Sequence, residues 1–334
     1  GFFPTHRKIW PKSLNIITRC LGYSFLHDRL IWRDGMKVNV NWLKEQHNQV
    51  KKEGRSHSSE ILQPPPFHLQ IRNNFKSGIK LSSLIKTAII IVIRTIYWHL
   101  RRYDKVTKFG YSPWRHIKFN FKRRSIYKML SRNGVKLDTL IESKRPYVFL
   151  ALQMEPEVLL SAQTPEFFDQ ISIIQQVSKE LPVGTYLAVK DHVPALGYRD
   201  QSFYRMMDTM PNVILIDPSE FGLPIIKNAR AVVSLLGRSA FEAASFGIPV
   251  LAFSPSLFFG YLPHVIVSTN FSDVKKNLRT LLSFGKEDRR GFAQEGEFML
   301  AAMHDLTVDP DDYSNMESLG KALFESLSNT LKKI

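Results

Sequence analysis

The chain has 334 residues, 44% of them hydrophobic, 23% charged and 12% aromatic, with a formal net charge of +16. That is the composition of a globular protein, and it excludes a disordered, collagen-like or disulfide-scaffold chain. A single cysteine, Cys20, excludes an internal disulfide and any multi-cysteine zinc or iron–sulfur site within this sequence, and it fits a reducing compartment.

The length suggests two domains, and the charge divides unevenly between two halves. Residues 1–150 hold 30 Lys and Arg against 8 Asp and Glu, a balance of +22; residues 151–334 hold 16 against 22, a balance of −6. A basic half of this kind points to a polyanionic surface, either nucleic acid or an anionic membrane leaflet.

In chain order, GFFPTHRKIW at the start has an apolar pair but no continuous apolar core of the signal-peptide kind. Residues 1–145 then alternate irregularly. Lys44 to Glu60 is polar and charged, and predicts an exposed helix or loop; Pro64, Pro65 and Pro66 break any regular element. From Ile79 to Tyr103 apolar residues recur at steps of three and four (Leu81, Leu84, Ile85, Ala88, Ile89, Val92, Ile93, Ile96, Tyr97), which predicts a helix. Its longest apolar run, Thr87 to Ile93, is closed by Lys86 and Arg94 and falls far short of the ~20 residues that cross a bilayer. Basic and aromatic residues continue through Trp114 to Arg124. Taken alone, the stripe is the buried face of an ordinary helix. The +22 excess adds an anionic partner, and a membrane surface suits the mixture of basic and aromatic side chains. Nucleic acid is disfavoured, because zinc-finger spacing, an RNP-type aromatic strand and a recognition helix are all missing.

From Arg145 the pattern becomes regular. Strands are predicted at Tyr147–Leu152, Thr185–Lys190, Asn212–Ile216, Ala231–Leu235 and Val250–Phe253, with helices near 165–180, 201–209, 223–228 and 239–246 between them. This alternation predicts an α/β fold with a parallel sheet, whose ligands sit beyond the carboxyl ends of the strands. Four loops are thereby singled out: 153–164, 191–199, 217–222 and 236–241.

These loops carry the candidate chemistry. The first contains Gln153, Glu155 and Glu157; a carboxylate there can act as general base or nucleophile, and chemistry alone does not separate Glu155 from Glu157. The second reads Lys190-Asp191-His192-Val193-Pro194, with Gly197 and Arg199 after it. His192 can donate to a leaving phosphate or shuttle a proton near neutral pH. The fourth reads Gly237-Arg238-Ser239, with Glu242 one helical turn on. A glycine at a strand-to-helix junction admits a phosphate to the helix N-terminus, where Ser239 can donate and Arg238 can pair. Glu242 is placed to accept from a ribose diol.

Four segments carry a resemblance. Glu155-Pro156-Glu157, then Lys190-Asp191-His192-Val193-Pro194 with Gly197, then Phe203-Tyr204 and Pro211-Asn212-Val213, and last Gly237-Arg238-Ser239-Ala240-Phe241-Glu242-Ala243 before Gly247-Ile248-Pro249-Val250, follow one another in the order seen in the capsule polysaccharide synthesis proteins. The chain resembles that family, which includes the bacterial β-Kdo transferases, clearly over about a third of its length. Two departures stand out: Val193 splits the family's His-Pro pair, and Arg238 stands where a small residue is common.

The resemblance implies a GT-B glycosyltransferase, α/β with two Rossmann-like domains facing across a cleft. Residues 1–145 would form a basic domain facing acceptor and membrane, 146–310 the domain binding the nucleotide sugar, and 311–334 a helix returning to the first. The implied donor is a CMP-linked, Kdo-like sugar; the acceptor is a lipid-linked or other glycan at the inner face of the plasma membrane; neither metal nor separate cofactor is implied. On that pattern Lys190, His192, Gly237, Arg238 and Ser239 hold the nucleotide phosphate, Glu242 the ribose, and Glu157 or Glu155 lies nearest the reacting carbon. The departures leave two alternatives open: a UDP-sugar transferase or epimerase of similar fold, and a non-catalytic binding subunit.

Overall fold

A computed structural model of the protein describes residues 19–26, 29–34, 37–58, 62, 81–101, 113–154, 169–255 and 257–331. Its centre is a six-stranded sheet built from β3 (Tyr147–Ala151), β4 (Tyr186–Lys190), β5 (Val213–Leu215), β6 (Ala231–Ser234), β7 (Val250–Ala252) and β8 (Val265–Val267). The order across the sheet is β5-β4-β3-β6-β7-β8, and every neighbouring pair is parallel. Numbered within the sheet this is 3-2-1-4-5-6, the doubly wound order that reverses direction between its first and fourth strands.

The runs YVFLA, YLAVK and AVVS form strands because both of their faces are covered by apolar groups, as parallel sheets require. Alternate residues serve opposite faces. Phe149, Ala188 and Val232 join one core with the helices α7 (Gly222–Asn228), α8 (Arg238–Ser245) and α10 (Lys286–Asp305). Val148, Val189 and Val233 join the other, with α5 (Gln170–Glu180), α6 (Gln201–Asp208) and α9 (Val274–Ser283). All five predicted strands and the four intervening helices are present. After β7 the chain adds a sixth strand, β8, and the helices α9 and α10 to the predicted elements.

The described parts of residues 1–145 do not form a second parallel sheet. They contribute a short antiparallel hairpin, β1 (Cys20–Tyr23) and β2 (Leu30–Arg33), and four helices: α1 (Val40–Glu53), α2 (Leu81–Leu100), α3 (Pro113–Asn133) and α4 (Leu137–Glu142). β2 also pairs with β9 (Thr307–Val308), and Trp32 donates its indole N–H to the Leu323 carbonyl of the last helix, α11 (Met316–Leu331), at 3.2 Å. Phe25 stacks on Phe241 and Phe258, with centroids 5.3 and 5.5 Å away.

Two sequence expectations are corrected here. The segment after Lys44 is helical to Glu53 and largely exposed as expected, at Lys44, Glu45, Asn48, Gln49 and from Lys51 to Ser56, but its other face, with Gln46, His47 and Val50, is buried against α10. The stripe on α2 is the reverse case: Ile89, Ile93 and Ile96 are more than half exposed, while Ile91 on the other side is buried.

Burial also creates a pH-sensitive point. His264 is fully buried between β7 and α10, stacked on Phe292, with Nε2–H donating to the Ala244 carbonyl at 2.8 Å. Its Nδ1 has no hydrogen-bond partner, so protonation there would bury an unpaired charge. Burial accordingly pulls the imidazole down from its ordinary 6.5 to about 4. The folded state then binds fewer protons than the unfolded chain between those values. The stabilisation is complete above pH 6.5 and lost as pH falls towards 4, a loss of roughly 3 kcal/mol at most. His264→Gln, which keeps a donor for Ala244, is expected to show a shallower fall of melting temperature from pH 6.5 to 4.5. Equal slopes for the two proteins would remove His264 as the cause.

Candidate active site

The reversal of strand order opens a crevice beyond the carboxyl ends of β3 and β6. Three loops meet there, and Gln153 ties them together. Its side chain donates to the Leu236 carbonyl at 2.8 Å, joining the loop after β3 to that after β6. Its own carbonyl accepts from Arg199 Nη2, joining the loop after β4. Gln170, at the start of α5, brackets the same peptide unit, accepting from Gln153 N at 2.8 Å and donating to Gln153 O at 3.1 Å.

The loop after β4 is held from inside. Asp191 is buried and accepts four hydrogen bonds from three donors: Arg199 Nη1 at 3.0 Å to each carboxylate oxygen, the Tyr204 hydroxyl at 2.5 Å and the His192 amide at 2.7 Å. The two ion-pair side chains are each 2% exposed. Burial, and after it the Asp191 carboxylate, push the Tyr204 hydroxyl well above its ordinary value, so it remains a donor. Asp191 is thus a positioning group. Lys190 is buried, its Nζ donating to the Asp191 carbonyl at 3.1 Å.

His192 caps a short 3-10 turn, Val193–Ala195, and Ala195 N donates to its carbonyl at 2.8 Å. Val193, the residue that splits His from Pro, is buried, and its carbonyl accepts from Arg123 Nη2 of α3 at 3.1 Å. Val193 therefore anchors the turn to α3. The same helix passes so close to Gly197 that a Cβ there would lie 3.0 Å from the Cβ of Arg123.

On the other side of the crevice, β6 runs into α8. Gly237, the cap residue, has φ +96° and ψ −156°, a conformation reserved for glycine. An α-helix has no carbonyls to bond its first amides, and its N-terminal end is positive, so this turn suits an anion. Ser239 Oγ lies 3.3 Å from Ser234 Oγ, which bonds the Leu236 carbonyl at 2.9 Å. Arg238 Nε bonds Glu242 Oε1 at 2.8 Å. Burial pushes the Glu242 carboxyl up, and Arg238 opposes it. The two residues read separately from sequence are one ion pair: an anion that draws Arg238 away leaves Glu242 without its counter-charge.

Lys190 and His192 thus stand at the carboxyl end of β4, and Gly237, Arg238, Ser239 and Glu242 at the β6–α8 turn, on the same end of the sheet with the β3 loop between them. Glu155 and Glu157 lie outside the described residues. The loop 217–222 follows β5, two strands from β3. Asp217 there caps its own turn, accepting from Ser219 N at 2.8 Å and Ser131 Oγ at 3.3 Å. Gln170 and Arg123 have no signal in the sequence, since both act on main-chain atoms of distant loops. Among the described residues no group of three or more His, Cys, Asp or Glu is gathered to hold a metal ion.

No protein-family model matches the chain, and no curated protein matches it. Solved structures similar to it include UDP-GlcNAc 2-epimerase from Methanocaldococcus jannaschii, at 14% identity and a TM-score of 0.34 over 57% of this chain and 52% of that one. WaaG, a glycosyltransferase involved in lipopolysaccharide biosynthesis, is similar at 16% identity and 0.30 over 52% and 45%. The glycosyltransferase VinC, solved in complex with dTDP, is similar at 16% identity and 0.35 over 52% and 44%. Each match spans about half of the chains compared.

Proposed function

We propose that the protein is a glycosyltransferase that binds a nucleotide sugar in the crevice between β3 and β6. The observation that supports this best is the placement of a glycine-opened helix, α8, at the switch point of a 3-2-1-4-5-6 sheet, with the β3 loop tied to its approach by Gln153 and the His192 loop tied to Gln153 in turn by Arg199. The α8 N-terminus and Ser239 receive the phosphate nearest the sugar, His192 and Lys190 add positive charge, and the Arg238–Glu242 pair lies at the ribose side. Transfer breaks the bond between the anomeric carbon and the phosphate oxygen and forms one to an acceptor hydroxyl. The hydroxyl proton passes to a carboxylate, Glu157 or Glu155, and the departing phosphate is stabilised by fixed donors. The resemblance in sequence favours a CMP-linked, Kdo-like sugar and a lipid-linked or glycan acceptor of surface polysaccharide assembly, at the inner face of the plasma membrane.

A thermal-shift titration with CMP, UDP, GDP and ADP tests this. A ligand of the native state raises the melting temperature by mass action, by the equivalent of about 2.7 kcal/mol at a hundredfold excess over Kd. The expected result is stabilisation by CMP, lost in His192→Ala and Ser239→Ala. Stabilisation by UDP instead keeps the crevice and moves the donor to a UDP-sugar. No response to any of the four, in a protein that melts cooperatively, overturns the proposal and favours a non-catalytic subunit.

A further inference from the structure

We infer that α2 lies in the plane of an anionic lipid surface, with its apolar face among the acyl chains and the basic residues of α2 and α3 at the headgroups. This rests on the outer face of the molecule and not on the crevice, so it holds whichever nucleotide is bound.

The apolar face is continuous. Ile85, Ile89, Val92, Ile93, Ile96 and Leu100 follow at helical spacing, so they share one side of the helix, and their exposures run from 46% to 78%. Soluble proteins seldom leave so many large apolar side chains together in water. Yet no helix among the described residues is long and apolar enough to cross a membrane. An apolar face on a helix that does not span, flanked by cationic and aromatic groups, is the signature of an element lying at the interface. Tyr97 and Trp98 supply the aromatic groups; Arg101 stands 5.5 Å over the Tyr97 ring and Arg94 4.7 Å over that of Trp98, so each cation is carried beside a ring.

Charge selects the occupant. Residues 81–101 contain Lys86, Arg94 and Arg101, residues 113–133 contain seven more Lys and Arg, and neither segment contains an Asp or Glu. The two helices touch, so the pair is strongly cationic beside the apolar face; of these side chains Arg123 is turned to the Val193 carbonyl and Lys122 is paired with Asp200. A second copy of this chain would bring like charges against like, which disfavours it. A nucleic acid answers the charge but leaves the isoleucines in water. Only an anionic bilayer satisfies both, at about a fivefold gain in affinity for each cation near its surface.

The purified full chain would be sedimented with vesicles of phosphatidylcholine alone and of equal parts phosphatidylcholine and phosphatidylglycerol, without nucleotide. Binding to the anionic vesicles and little to the neutral ones is expected. Ile89→Ser combined with Ile93→Ser, both at exposed positions and checked by an unchanged melting curve, should lower that binding at least tenfold. Lys86→Gln combined with Lys118→Gln, both exposed, should lower it less, and more at low salt than at high. Equal binding of wild type and the isoleucine variant overturns the inference. So does a wild type that ignores anionic vesicles, whether it dimerises through this face or binds a mixed-sequence oligonucleotide instead.

Discussion

Arg199→Met is expected to lower the free energy of unfolding by about 3–5 kcal/mol. The substitution keeps much of the side-chain volume but strands Asp191, a carboxylate whose side chain is only 2% exposed. Two of its four bonds go with the guanidinium, as does the Arg199 contact to the Gln153 carbonyl. Magnitude matters here, because an exposed ion pair contributes only ~0–1 kcal/mol and its loss would pass unnoticed. Urea unfolding at constant m-value measures the difference directly. A second variant separates charge from packing: adding Asp191→Leu to Arg199→Met removes the stranded charge and should recover part of the loss, although the Tyr204 hydroxyl and His192 amide then lose their acceptor. A single-variant cost below 1 kcal/mol would mean that water reaches Asp191 and that the loop is not held as described. Because the same bonds set the position of His192, the nucleotide response should weaken in step with stability.

The α/β part of the fold was legible because its strands are short apolar runs separated by turn residues and helical spacing, each complete within a dozen residues. YVFLAL and AVVSL have no other economical place than a doubly covered strand. The strand order, by contrast, is a matter of crossover connections that no local pattern encodes. The switch point, and with it the pairing of the β3 and β6 loops through Gln153, became visible only in three dimensions. Local spacing also misjudged exposure. Lys44–Glu60 is polar by composition, yet Gln46 and His47 are buried because polar partners on α10 meet them: Asp305 at 2.8 Å and Glu295 at 3.0 Å. The α2 stripe is apolar, yet exposed, because the described core already fills both faces of the sheet without it. At the site, residue types were readable and their pairing was not. Arg238 and Glu242 are four apart, the spacing of a helical ion pair, but that spacing carries its meaning only once the helix begins at Gly237.

The last expected result concerns the support behind that helix. Gly247→Ala should cost roughly 2–5 kcal/mol, combining a left-handed backbone for a residue with a Cβ and a clash in a packed interior. Gly247 has φ +68°, and a Cβ there would stand 2.3 Å from the amide nitrogen of Ala293 on α10. Gly296, one turn further along α10, faces the same junction: its Cβ would stand 2.4 Å from the Ser245 carbonyl and 2.7 Å from that of Ala244. These are backbone atoms, so a rotamer change cannot relieve the contact. Gly296 gives the sharper test, since helix propensity alone says that alanine stabilises a mid-helix position by about 1 kcal/mol. Overpacking opposes it by about 1–3 kcal/mol, and with backbone on the receiving side the upper part of that range applies. A net loss is therefore expected for Gly296→Ala, and a larger one for Gly247→Ala. Gly54→Ala serves as the control, because Gly54 also has a positive φ, +66°, but open space around it, so only the backbone penalty of about 1–2 kcal/mol applies. If Gly247→Ala costs no more than Gly54→Ala, α10 does not press on the end of α8. If it does press, the displacement acts on an eight-residue helix whose other end is the candidate phosphate site, and the variant should lose nucleotide response along with stability.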